Sequence, residues 1–199
     1  MARSKSDTKK KAILAAATEL FAEKGYYYTN VKEIADRAGL SVGSVYNYFK
    51  NKDDVLVCLF MDFFDTMITD VELLMTQDMN PLEKYQKGIE IVVEHLSRNM
   101  DMAHVFLVEL HQSPIAVLYL DPVVKKKHLE FVRILLADAE ANNLIKPDID
   151  PEIVTLISNG IIEEFTFDWV QKKYSKEELL RKIDVACRYS IYGIATMEE

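Results

Sequence analysis

Nearly every stretch of this 199-residue chain repeats its apolar residues at helical spacing, and no stretch sustains the every-second-residue alternation of a half-buried strand. Only 6 glycines and 5 prolines interrupt the pattern, too few for a turn-dense sheet protein. The expected fold is all-α. With 49% hydrophobic and 28% charged residues, the chain can bury a core without covalent staples. Cys58 and Cys187 lie far apart in apolar helical contexts, so neither a disulfide framework nor a CxxC motif is present, which fits a reducing cytoplasm. The longest apolar run, Val55 to Met61, is far short of the ~18 residues that cross a bilayer, and the basic start lacks the apolar core of an export signal. A cytoplasmic protein with no membrane partner is expected.

Local signals divide the chain into helices. Asp7 reads as the N-cap of a first helix with Ile13, Leu14, Ala17, Leu20 and Phe21 inward, and Gly25 as its stop. Asn30 or Thr29 caps a short helix holding Val31, Ile34, Ala35 and Ala38, Gly39 breaks it, and Ser41 caps another that carries Val45, Tyr48 and Phe49. A long helix opens near Lys52 with the stripe Leu56, Phe60, Phe63, Met67, Val71 and Leu74. Asn80-Pro81 restarts the chain, and Ile89, Val92, Val93 and Leu96 form the next buried stripe. Residues 102 to 111 form a short apolar helix, with breaks at Ser113-Pro114 and Asp121-Pro122 before a helix through Leu129, Val132, Leu136 and Ala139. The segment from Asp150 to about Lys173 is apolar almost all round, so it must be covered on two sides. The last helix, Ser175 to about Thr196, presents Leu180, Ile183, Cys187, Ile191 and Ile194.

Charge separates the parts by function. Residues 1 to 52 carry 10 Lys and Arg against 5 Asp and Glu, whereas the remainder carries 14 against 27. A cationic head on an anionic body points to a head that meets a polyanion, because neutralising phosphates needs local cations rather than a favourable total. Within that head, Thr29 to Lys52 reads TNVKEIADRAGLSVGSVYNYFKNK. Ile34, the small Ala35, Ala38, the turn glycine Gly39, Leu40 and Val45 fall where two short helices crossing steeply need them, as in a helix-turn-helix. The outer face of the second helix is left with Ser41, Val42, Gly43, Ser44, Tyr46, Asn47 and Tyr48, short or hydrogen-bonding groups suited to a major groove. Ser44 and Asn47 can reach base edges or phosphates, Val42 a thymine methyl group, Lys52 a phosphate, and Thr29 a second phosphate. Tyr48 and Tyr46 also have a reading as core residues, Phe49 is read as core, and the Tyr26-Tyr27-Tyr28 triplet as packing under the turn, with one ring presented to the DNA backbone as the alternative.

The segment ILAAATELFAEKGYYYT, the run IADRAGLSVGSVYNYF and the closing KNKDDVL resemble the N-terminal domain of TetR-family transcriptional regulators. The resemblance is dense over residues 8 to 60. It implies nine helices, with a DNA-binding domain at 1–52 and a helical ligand-binding and dimerisation domain at 53–199. It also implies a homodimer through the last two helices, a palindromic double-stranded DNA operator and a small-molecule pocket between the middle helices. Carried over, Thr29, Ser41, Val42, Gly43, Tyr46, Asn47, Tyr48 and Lys52 are the implied DNA contacts. Many relatives have Lys or Arg where Val42 stands, which leaves base preference there open.

The body must be read from its apolar excess. Phe60, Phe63, Met67, Phe106, Leu110, Phe165 and Trp169 are the candidate pocket walls, with plain core packing as the competing reading for each. VFLVELHQS at 105 to 113 and EEFTFDWV at 163 to 170 are similar to the subgroup that regulates fatty-acid degradation and senses long-chain acyl-CoA. That similarity implies a small hydrophobic effector that releases a repressor from DNA. An effector-independent regulator whose body serves dimerisation or protein interaction is the alternative. An enzyme is not expected: His95, His104, His111 and His128 form no HExxH, Glu163 and Glu164 are adjacent on a helix, and no phosphate-binding loop or Gly-x-Ser-x-Gly elbow occurs. Catalytic residues, metal ligands and cofactors are accordingly expected to be none.

Overall fold

A glycine with left-handed backbone ends the first helix and another turns the helix-turn-helix: Gly25 sits at φ +82° and Gly39 at φ +67°. Both are conformations that a side chain disfavours. The computed structural model describes the backbone of residues 2–112 and 121–194 and the side chains of 7–109, 122–191 and 193. Among these residues it contains nine helices and no strand. They are α1 (Ala2–Lys24), α2 (Val31–Arg37), α3 (Val42–Tyr46), α4 (Lys52–Met75), α5 (Pro81–Ser97), α6 (Met100–Gln112), α7 (Asp121–Ala141), α8 (Pro151–Lys172) and α9 (Lys176–Ile194). The expected break at Ser113-Pro114 and the expected end at Thr196 lie outside the described residues.

Packing groups them into two units. The first joins residues 1–65 with 99–122, so that α6 lies against α1 while α2 packs on α1 and α3. Its core includes Ile13, Ala17, Phe21, Ile34, Ala35, Val45 and Phe49. Asn30, not Thr29, is the cap of α2. Its side chain accepts from the Glu33 N–H at 3.1 Å while the Glu33 carboxylate accepts the Asn30 N–H at 2.9 Å, a complete capping box. Asp7 is not the N-cap of α1, which runs back to Ala2. Residues 2 to 6 hold no glycine or proline, so nothing stops the helix there.

The second unit joins 66–98 with 123–199, and in it α5 packs against α8 and α9, and α8 against α9. Asn80 and Asp150 cap α5 and α8, each followed by a proline at the first helical position. The buried stripe of α9 is Leu179, Ile183 and Cys187, one position away from the expected Leu180 because the phase of a helical stripe is set by the neighbour it meets. Gly88 of α5 is a packing glycine, since a Cβ there would lie 2.7 Å from the Phe131 ring of α7. Gly88→Leu is therefore expected to lower stability by ~1–2 kcal/mol. Overpacking costs about 1–3 kcal/mol, more than the ~1 kcal/mol of helix propensity that leaving glycine returns. Urea titration checks this, and Phe131→Ala in the same chain should restore most of the midpoint.

Candidate nucleic-acid interface and effector region

Helix α3 is short and its polar side is open. Ser41 accepts the Ser44 N–H at 3.2 Å, fixing the start of the helix, and Val45 points into the core. Ser41, Val42, Gly43, Tyr46 and Asn47 are exposed, with Tyr46 at 53%, while Ser44 and Tyr48 are half-buried. A Cβ at Gly43 would meet nothing within 4 Å, so no contact inside the chain requires a glycine there. Asn47 is the C-cap of α3, and Tyr48 stands in the turn beyond it rather than in the helix.

Two expected phosphate contacts are turned inward. Thr29 is only 2% exposed, and its hydroxyl donates to the Gly25 carbonyl at 2.9 Å. Lys52 donates to the carbonyls of Tyr26 at 2.6 Å and Thr29 at 2.8 Å, with its ammonium 4.1 Å from the centre of the Tyr26 ring. Burial pulls its pKa below the usual lysine value, although Asp53 and Glu109 nearby favour the charged form. Lys52 thus clamps the turn that precedes α2. Of the Tyr triplet, Tyr26 alone packs inward, whereas Tyr27 and Tyr28 are exposed.

Two other cations in the head are tied to carboxylates of a neighbouring helix. Arg37 forks onto both oxygens of Glu23 at 2.9 Å and reaches Glu19 at 3.0 Å, holding the Glu23 carboxyl below its usual pKa, and Lys24 does the same to Glu33 at 2.5 Å. Lys32 on α2 and Lys50 before α4 are exposed, and no ion pair of theirs occurs among the described residues. Nothing local in the sequence separates an exposed lysine of this kind from one engaged across a helix pair.

The expected pocket residues divide by burial. Phe60 and Phe106 are closed into aromatic packing: Phe60 stacks on Phe64 at 6.2 Å, and Phe106 meets Phe63 and Phe64, each at 6.1 Å. They are core here, and Phe64, which the expected stripe omitted, is part of the same cluster. Trp169 is also buried, with its indole N–H donating to the Tyr174 carbonyl at 2.9 Å at the end of α8. Phe63, Met67 and Phe165 stay half-buried, and the Leu110 side chain lies outside the described residues. A recess of about 10 Å³ in the second unit, enough for one water, is lined by Leu82, Tyr85, Val132, Leu135, Leu136 and Val154. On the outside of α8, Ile153, Leu156, Ile157 and Phe167 are exposed at helical spacing. No helix of the described residues is long and apolar enough to cross a membrane.

Comparison with known sequences decides the family. Residues 13–58 match the model of bacterial regulatory proteins of the tetR family, and residues 60–190 match the C-terminal region of YsiA-like proteins. The chain belongs to the TetR family. Among its relatives is the fatty acid metabolism regulator protein of Bacillus subtilis (strain 168), 30% identical over 158 residues that cover 79% of this chain and 81% of the relative. Two solved structures share the TetR-family fold across nearly their full length. The fatty acid degradation regulator FadR from Bacillus halodurans superposes with a TM-score of 0.79 at 26% identity, covering 90% of this chain and 94% of that one. FadR from Bacillus subtilis, solved in complex with stearoyl-CoA, gives a TM-score of 0.78 at 27% identity, covering 92% and 98%. The protein is a TetR-family transcriptional regulator, and the relatives it matches are regulators rather than enzymes.

Proposed function

We propose that this regulator is a repressor that binds a palindromic operator as a homodimer and is released by a long-chain acyl-CoA. The observation that carries the DNA-binding part is the open polar side of α3, where Gly43 leaves a low surface that the fold itself does not need. On this reading residues 1–52 bind DNA and 53–199 serve dimerisation and effector binding; the two family matches also divide head from body, a few residues later, between 58 and 60. Ser44 and Asn47 read base edges, Val42 meets a thymine methyl group, and Ser41, Gly43, Tyr46 and Tyr48 approach the backbone and groove wall. Lys32 and Lys50 supply the phosphate contacts in place of the Lys52 and Thr29 side chains.

The dimer forms through α8 and α9. Support comes from the exposed apolar residues of α8, which are costly to leave in water and matched in spacing to a facing helix. Half-buried Met67 and Phe165, both of the second unit, are the expected pocket residues with surface left for an effector. Acyl-CoA is favoured because the Bacillus subtilis FadR structure was solved with stearoyl-CoA. An effector acts only through unequal affinity for two arrangements, and here those arrangements differ in the separation of the paired α3 helices, which must match grooves ~34 Å apart.

Selecting bound fragments from genomic DNA with the purified protein, then titrating stearoyl-CoA, tests the reading. Enrichment of a palindrome and its release at micromolar stearoyl-CoA are expected, with a rise in melting temperature. No enriched palindrome would overturn the operator, while a palindrome that stearoyl-CoA neither releases nor shifts would overturn the effector alone.

A further inference from the structure

Helix α6 carries a carboxylate on its buried side. Met102, Val105 and Phe106 line that side, and Glu109 follows them at helical spacing with only 5% of its surface exposed. A carboxylate among such neighbours is costly unless it holds a specific partner. Its Oε1 accepts the Tyr26 N–H at 3.0 Å, across 83 positions of sequence and within the first packing unit. The space where a Gly25 Cβ would stand is 4.0 Å from the same oxygen, so the left-handed glycine that ends α1 brings the next N–H up to the carboxylate.

Tyr26 is the point where three elements meet. Its N–H is held by α6, and its carbonyl is held by Lys52 at the start of α4. Its hydroxyl donates to the Asp53 carboxylate, and its ring packs edge-on against Phe21 of α1 at 5.3 Å. Three residues later the chain reaches Thr29, whose carbonyl also accepts from Lys52, and then Asn30, the cap that orients α2. Both backbone polar groups of Tyr26, its N–H and its carbonyl, are thus fixed from outside α2 and α3.

We propose that Glu109 is a positioning residue for DNA binding: by holding the Tyr26 N–H from α6 it sets the Gly25–Thr29 turn and with it the placement of α2 and α3. The DNA arm rests on the operator reading above, whereas the backbone arm does not.

Amide exchange followed residue by residue, together with operator affinity at fixed salt, tests it. In the wild type the Tyr26 amide should exchange far more slowly than those of Tyr27 and Tyr28; comparable rates would overturn the proposal without any variant. Glu109→Gln keeps an oxygen acceptor in the same place and should retain both the slow Tyr26 exchange and affinity within a factor of about three, whereas Glu109→Leu should speed that exchange and weaken operator binding about tenfold. A folded Leu variant with wild-type exchange and affinity, or a Gln variant as impaired as Leu, would overturn it. Should the Leu variant fail to fold, the wild-type comparison and the Gln variant still decide. If the wild type captures no operator, the proposed function falls while the exchange measurements continue to report on the bond.

Discussion

Replacing Tyr46 by alanine and Asn47 by aspartate together is expected to weaken operator binding by about a hundred- to ten-thousandfold, with the melting temperature unchanged. Each good base-edge or backbone contact is worth about 1–3 kcal/mol, and the new carboxylate faces a polyanion. Both side chains are exposed, so the folded protomer loses little when they change. Fluorescence anisotropy on the selected fragment measures the loss, and unchanged affinity would remove α3 from the contact surface. Salt dependence separates the cations. Lys32→Ala should reduce the log–log salt slope by about one. Lys52→Ala should instead lower the unfolding midpoint, because its ammonium holds the carbonyls of Tyr26 and Thr29.

Aspartate at both Leu156 and Ile157 is expected to abolish the dimer. These side chains are 63% and 43% exposed in the protomer, so the substitutions leave the fold of a single copy intact. Across a dimer interface each would bury an unpaired carboxylate, at a cost of several kcal/mol per ion. A stable association with a free energy of roughly −12 kcal/mol, the value for nanomolar affinity, does not survive two of them. Sedimentation should then show a helical monomer, and operator affinity should fall with it because one α3 helix replaces two. A dimer that persists would move the interface away from α8.

Features whose bonds close within a few residues were legible from the sequence. The Asn80-Pro81 restart, the Ser41 cap and the glycine stops at Gly25 and Gly39 depend on contacts two to five positions away, and the structure has each where spacing placed it. Helical stripes were legible in existence but not in phase or width. Phe64 and Leu179 were missed because the period of 3.6 says that a face is buried and not how far it extends. Lys52 shows the same limit. Its position at the opening of a helix near DNA-facing residues is a local fact, and its capture by carbonyls 23 and 26 positions upstream is not.

The order of residues alone therefore determined an all-helical chain, its breaks, and a helix-turn-helix with a polar second helix, since these follow from backbone preference and periodic burial. Tertiary structure decided which polar groups remain available to a partner. Arg37 and Lys24 find partners across a helix pair, and Lys52 and Glu109 find theirs in the turn between α1 and α2. A charged group is lost or kept for binding according to what packs beside it, and desolvation by a neighbour distant in sequence leaves no trace in local spacing.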